Sequence, residues 1–238
     1  MHTPTFEHER ELIAAGHLAI GVDEAGCGCL AGPVIAAAAY LPLDSRLGLI
    51  RDSKLLSFAQ REHLFLQFAA RGCQWAIGAA SPEEIDAMNI RQATYLAMER
   101  AVRAFLQTVS LRGSQATEAI PATRTNGIAT PRSGSARNDN QGVLFALVDA
   151  WTIPNLPIPQ RGIVHGDRLV KSIAAASIIA KVTRDRMMDN LDAQYPVYGF
   201  RQHRGYATAA HRAAIIHFGS APIHRRTFLK SFISGAAA

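Results

Sequence analysis

Cysteine is scarce in this chain, and it has no apolar run long enough to cross a bilayer. Cys27, Cys29 and Cys73 are the three thiols in 238 residues. An odd, small number with no secretory signal ahead of it fits a reducing cytoplasm better than a disulfide framework. Cys27 and Cys29 stand one residue apart with no second pair, which falls short of the usual structural zinc spacings. The N-terminal segment MHTPTFEHERELIAAGH carries Glu7, Glu9 and Glu11 and lacks the basic start and apolar core of a signal peptide, so it is expected to stay on the mature protein. The small-apolar run from Ile173 to Ala180, bounded by Lys171 and Lys181, is far too short for a membrane span. Charged residues are only 18% of the chain against 48% hydrophobic, a globular balance that suits one large domain or one domain with a small appendage. Acidic residues are outnumbered: a formal charge of +6 favours an anionic partner, although many small cytosolic proteins are as basic without binding nucleic acid.

What is present is organised around Leu18 to Pro33, LAIGVDEAGCGCLAGP, where an apolar run ends in two adjacent carboxylates and a glycine-rich turn. Leu18, Ala19, Ile20, Gly21 and Val22 suit a buried strand, and PVIAAAAYL from Pro33 to Leu41 suits a second, joined to the first by a short glycine loop. Asp23 and Glu24 are thereby placed at the first strand's C-terminal end. Two acids at the edge of an apolar element repel one another unless something positive binds between them, and a divalent cation is the usual remedy. Gly26, Gly28 and Gly32 let the backbone approach a bulky partner and offer N–H donors to an anion such as a phosphate. A hairpin with solvated acids explains the same stretch equally well, so other acids must break the tie.

Further along, Arg51-Asp52-Ser53-Lys54 reads as a polar loop, and Ser57 as the N-cap of a helix running to about Ala70. Trp75 to Ala79 reads as a third strand. From Pro82 the pattern turns helical, with Ile85, Met88, Tyr95, Leu96, Val102, Phe105, Leu106 and Val109 at spacings near three, four and seven, a core stripe. Between Leu111 and Gly142 the chain has no aromatic residue and is dense in Gly, Ser, Thr, Pro and Asn, which reads as an inserted, disordered surface loop. Val143 to Val148 is a compact apolar strand ending in Asp149, and Ile163-Val164 leads through His165-Gly166 to Asp167, ahead of a helix from Lys171 to Asn190. Asp167 also suits a plain helix N-cap. Beyond the turn from Tyr195 to Phe200, Arg201, His203, Arg204, Tyr206, His211, His224, Arg225 and Arg226 interleave cations with flat rings, as a polyanion site does, while the histidines lack compact ligand spacing.

Asp23, Glu24, Asp149 and Asp167 each follow an apolar strand or strand-like segment. In an open α/β sheet, strand ends converge on one crevice, so these acids can form one cluster. Hard oxygen ligands suit Mg2+ or Mn2+ rather than zinc. Two such ions about 3.5–4 Å apart activate a water and stabilise the leaving oxygen of a phosphodiester displacement.

The segments GVDEAGCGCLAGPVIAAAAYL, RDSKLLS, EIDAMNI, LVDAW, GDRLVKSIAAASIIAKVTRD, YGFRQHRGYAT and HRRTF, in that order, resemble bacterial ribonuclease HII, the type 2 ribonuclease H family, over roughly Leu18 to Phe228 apart from the insertion. The resemblance implies an α/β ribonuclease H-like fold, a central mixed five-stranded sheet flanked by helices, with a small C-terminal helical region. The expected organisation is an N-terminal extension over 1–17, the catalytic domain over 18–228 with the insertion at about 111–142, and a tail over 229–238. The implied activity is metal-dependent endonucleolytic cleavage of the RNA strand of RNA–DNA hybrids, and at ribonucleotides embedded in duplex DNA, leaving a 3′-hydroxyl and a 5′-phosphate. The family's catalytic and metal-binding acids fall on Asp23, Glu24, Asp149 and Asp167, with Mn2+ or Mg2+ as cofactor. Its loop for the 2′-hydroxyl falls on Gly26-Cys27-Gly28, and its sugar-packing tyrosine on Tyr206. A monomeric, cytoplasmic enzyme with no membrane contact is the expectation.

The chain departs from that pattern where Cys27 replaces the usual arginine and Cys29 the usual proline. Recognition through main-chain groups survives such a change, but a charge-assisted phosphate contact of about 1.5–3 kcal/mol is lost, so weaker substrate binding with intact chemistry is expected. Two other classes compete with the nuclease. One is a hybrid-binding protein with weak or no turnover, which the altered loop favours and four intact acids oppose. The other is a thiol enzyme or redox switch on Cys27 and Cys29, which the neighbouring acids oppose because they disfavour a thiolate.

Overall fold

A computed structural model describes residues 3–48, 50–115 and 143–233. Five strands make one sheet: β1 (His17–Ala25), β2 (Val34–Tyr40), β3 (Gln74–Ala80), β4 (Val143–Asp149) and β5 (Gln160–Ile163), in the order β3-β2-β1-β4-β5. The first three pair antiparallel, whereas β1–β4 and β4–β5 are parallel, so the sheet is mixed. The helices are α1 (Glu7–Ala14), α2 (Phe58–Ala70), α3 (Pro82–Met88), α4 (Ile90–Gln115), α5 (Gly166–Leu169), α6 (Lys171–Gln194), α7 (Phe200–His203), α8 (Ala209–Phe218) and α9 (Arg226–Ile233). Among the described residues no helix is long and apolar enough to cross a membrane.

The sheet is covered on both faces, which is why β2 reads as an unbroken apolar run rather than an alternating one. Ile35, Ala37 and Ala39 pack with α2 and α6, while Val34, Ala36 and Ala38 pack on the other face with α3 and α4. On α6 the small residues Ala174, Ala175, Ala176, Ser177 and Ala180 are buried, and the helix backbone rests directly on β1. A Cβ at Gly21 would lie 2.1 Å from the carbonyl carbon of Ser172, so only glycine permits that approach. Ile20 and Val22 are fully buried. Each contributes about 1.5–3 kcal/mol, which anchors β1 and the acids at its end against their desolvation.

Several boundaries differ from the sequence reading. The helical stretch from Pro82 breaks at Asn89, whose φ of 75° is left-handed and whose side-chain oxygen accepts from the Gln92 N–H at 3.1 Å, starting a second helix. That helix runs on to Gln115, so the first residues expected in a disordered insertion are helical; 116–142 lie outside the described residues. Residues set apart as an N-terminal extension are built into the domain: Phe6 and Leu12 are buried, and Thr5 bridges to Val170. The boundary placed after Phe228 falls inside α9, where Leu229 is buried.

The C-terminal helices gather on their own cluster of Leu30, Ala31, Met188, Tyr198, Phe200, Ile215 and Leu229. His203, His211 and His224 belong to this core. The rings of His203 and His211 stack at 4.3 Å, and His211 and His224 meet Nε2 to Nε2 at 3.1 Å. Much of the interleaved basic and aromatic pattern is therefore internal packing. Arg201 and Arg204 pair with Asp189, and Arg225 is fully buried.

Candidate active site

β1 and β4 run parallel with Val22 beside Val148, so the next residues, Asp23 and Asp149, lie side by side. β4 ends there, whereas β1, expected to end before its acids, carries Asp23 and Glu24 on to Ala25 in its pairing with β2. Asp23 is buried, accepts the Glu24 N–H at 2.7 Å, and takes a hydrogen bond from the Ser177 hydroxyl on α6. Ser177 in turn meets the Ser53 hydroxyl at 2.9 Å. Burial, with repulsion from Glu24 and Asp149, pushes the Asp23 carboxyl well above the usual carboxylate range. Glu24 is raised by burial and by Asp149, and the Cys27 thiol offsets part of this by bonding Glu24 Oε1 at 3.4 Å.

Asp149 turns one oxygen to the Gly166 N–H at 2.7 Å. Asp167 is not a helix N-cap: it lies inside α5, whose cap is His165, while α6 is capped at Val170. Its carboxylate is buried and sits 3.7 Å from the Lys54 ammonium, and burial together with Asp52 and Asp149 raises it. Strand pairing sets Asp23 beside Asp149, Glu24 follows Asp23, and the bond from the Gly166 N–H sets Asp149 next to Asp167, so the four acids lie along one patch. They do not form a closed shell as they stand: among the described residues, no three metal-ligating side chains enclose a common point. The orientations explain this, since Asp149 serves a backbone donor and Asp167 serves Lys54.

Lys54 is the group that the sequence reading passed over. Although partial burial works against its charge, Asp167, Asp52, Asp23 and Asp149 together hold the ammonium above its ordinary value. A cation is therefore already favoured at this spot, and the surrounding donors are hard oxygens, as Mg2+ and Mn2+ require. Asp52, buried, fixes the lysine from behind by accepting its backbone N–H at 2.9 Å and the Arg168 Nε at 3.3 Å. In the sequence these residues form an ordinary polar loop; only its docking on α6 through Ser53 and Ser177 makes them part of the site.

The glycine loop is held from inside by two arginines. Arg225 donates to the carbonyls of Gly26, Cys27 and Gly32 at 2.7–2.9 Å, and Arg184 to those of Ala31, Pro33 and Arg204 at 2.9–3.0 Å. The Leu30 N–H donates to the Gly205 carbonyl at 2.8 Å, which ties Gly26-Cys27-Gly28 to the turn that carries Tyr206. Tyr206 is 42% exposed, bonds the buried Cys29, and has the Lys181 ammonium 5.6 Å from its ring centre. Cys27 points inward, with its sulfur 3.2 Å from the Thr94 hydroxyl. Burial, followed by the charge of Glu24, pushes its thiol up to about 12, so it is neutral and the thiol-enzyme reading loses its physical basis.

A mixed sheet whose two central parallel strands deliver carboxylates to one ridge, flanked by helices on both faces, is the framework of the ribonuclease H-like nucleases. The family model for Ribonuclease HII matches residues 20–116 and 146–231. Ribonuclease HII of Desulfitobacterium hafniense (strain DSM 10664 / DCB-2) is 43% identical over 221 residues, spanning 92% of this chain and 72% of that protein. Ribonuclease HII of Dehalococcoides mccartyi (strain BAV1) is 40% identical over 238 residues, 98% of this chain and 96% of the relative. Ribonuclease HII of Archaeoglobus fulgidus, solved in complex with PCNA, shares the fold with a TM-score of 0.61 at 22% identity, covering 88% of this chain and 94% of that one. The chain belongs to the ribonuclease HII family, and is a metal-dependent endoribonuclease.

Proposed function

We propose that this protein hydrolyses the RNA strand of RNA–DNA hybrids and incises duplex DNA at embedded ribonucleotides, leaving a 3′-hydroxyl and a 5′-phosphate, with Mn2+ or Mg2+ held by Asp23, Glu24, Asp149 and Asp167. The observation that carries this reading is the placement of Asp149, beside Asp23 on the neighbouring parallel strand and bonded to the backbone N–H that precedes Asp167. Divalent ions, when bound, supply Lewis-acid activation of a water and neutralise the charge developing on the scissile phosphate. The chain's own residues do the rest. Ser177 and the Glu24 N–H orient Asp23, and the Gly166 N–H orients Asp149. Lys54, exposed and beside Asp167, meets the incoming phosphate backbone and releases the carboxylate it holds.

The 2′-hydroxyl selects ribose. In this reading it meets the main chain of Gly26-Cys27-Gly28, whose carbonyls Arg225 holds inward, while Tyr206 packs on the adjoining sugar. Binding without turnover, the alternative that the altered loop at position 27 raised, is not favoured for a member of this family. The two separate in one experiment: cleavage of a single-ribonucleotide duplex and of a long hybrid, with Mn2+, Mg2+ and chelator, by wild type and Asp23→Asn. Metal-dependent cleavage by the wild type and at least a hundred-fold loss in a folded Asp23→Asn protein are expected; full activity in that variant refutes the metal-site assignment.

A further inference from the structure

We propose that Arg91 and Trp151 form a second contact for the nucleic acid strand on the Glu24 side of the carboxylate cluster, the guanidinium taking a backbone phosphate and the indole a sugar or base face. The proposal rests on the nuclease reading above and names further residues that hold the substrate.

Trp151 is 60% exposed, the most exposed aromatic among the described residues, and stands two positions beyond Asp149. An indole so placed loses hydrophobic stabilisation. Its backbone is pinned. Ala150 is left-handed at a φ of 58°, the Ala150 N–H donates to the Ile163 carbonyl at 2.9 Å, and the Trp151 N–H donates back to the Asp149 carbonyl at 2.7 Å. Two residues on, the Gln160 side chain takes both the N–H and the carbonyl of buried Ile153 at 2.7 Å. The ring therefore projects from a fixed turn whose other end holds a catalytic acid.

Arg91, in the first turn of α4, lies over that ring with its guanidinium carbon 5.5 Å from the centre. It is exposed and makes no ion pair among the described residues, unlike Arg184 and Arg225, which are consumed by loop carbonyls, or Arg204, paired with Asp189. One turn further along α4, Thr94 touches Cys27, and Cys27 touches Glu24. From Asp149 the backbone leads to Trp151, whose ring meets Arg91, so the indole and guanidinium lie on the flank of the same acids that are proposed to address the scissile linkage. Because the loop's own side chain at Cys27 turns inward to Thr94 and Glu24, Arg91 offers this flank a cation that the loop does not. Lys54 stands beside Asp167. A strand crossing the cluster thereby meets a cation on each side. An aromatic face paired with a guanidinium suits single-strand contacts that read no sequence.

The test uses the full chain and equilibrium binding of a fluorescein-labelled RNA–DNA hybrid in chelator, so that nothing is cleaved. Arg91→Gln and Trp151→Ala are each expected to weaken binding about ten-fold while melting with the wild type. Arg91→Gln should also make the slope of log K against log salt shallower by about 0.9, the signature of one lost phosphate contact. In a Trp75→Phe background, hybrid should quench Trp151 emission. Unchanged affinity and slope in both variants, with wild-type binding intact, overturn this subsite and leave the nuclease reading standing. A wild type that neither binds nor cleaves the hybrid overturns both.

Discussion

Gly26 and Gly28 lie two positions apart in one loop, yet alanine is expected to act oppositely at the two. At Gly26 the φ is +99°, and an added Cβ would lie 2.1 Å from Nε and 2.5 Å from Cδ of Arg184, a fully buried side chain. Carbon contacts relax near 3.5 Å or beyond, so the arginine must move by more than about 1 Å. It then loses its Nε bond to the Pro33 carbonyl and strains those to Ala31 and Arg204, all at 2.9–3.0 Å. A bond from a charged donor contributes about 1.5–3 kcal/mol, and the left-handed backbone adds about 1–3 kcal/mol. Loss of one such bond plus the strain gives about 2.5–6 kcal/mol. For a chain of this size that is a fall in Tm of roughly 5–24 °C. At Gly28 an added Cβ meets nothing within 4 Å, so Gly28→Ala should melt within about 4 °C of the wild type. Its methyl group instead occupies the open side of the loop, where the ribose is proposed to dock, and should weaken hybrid binding about ten-fold. Melting in chelator and anisotropy binding measure the two effects. If Gly26→Ala melts together with Gly28→Ala, the arginine clamp is not what holds this loop.

Cys27→Arg puts a guanidinium where the thiol now faces Glu24 and Thr94; it must turn outward, and an exposed phosphate contact should tighten hybrid binding about two- to ten-fold and steepen the salt slope by about 0.9. Unchanged affinity and cleavage would mean the loop's side chain is irrelevant to binding. Burial, together with the charges of His203 and His224, pushes His211 down to about 4. The unfolded chain therefore binds more protons between about pH 4 and 6.5, and the contribution of this ring to stability, complete above pH 6.5, falls as pH drops to 4, by up to about 3 kcal/mol. The difference in urea midpoint between wild type and His211→Gln should shrink over that window; a constant difference refutes the assignment. Asp23, Glu24 and Asp167 run the other way, since raised carboxyls weaken the metal-free fold as pH rises through their unfolded values, so the comparison between variants is what isolates the histidine.

The local grammar of the chain settled most of the elements. Alternating and continuous apolar runs, Ser57 as a cap and the small face of α6 are set by neighbours three or four residues away, and the sequence carries such neighbours. It also singled out the four acids as candidates, because each closes an apolar segment and the ordered motifs resemble one family. It could not show that Asp52, Ser53 and Lys54 belong beside them, since that follows from a loop docking on a helix more than a hundred residues later. Nor could it tell which arginines face solvent: Arg184 and Arg225 look no different in sequence from Arg91, yet two are interior braces and one lies exposed over the Trp151 ring. Side-chain identity and spacing fix what can hydrogen-bond or carry charge. Which groups meet, and therefore which carboxyls are raised and which cations remain for a phosphate, depends on contacts between segments distant in the chain, and only the tertiary structure decides those.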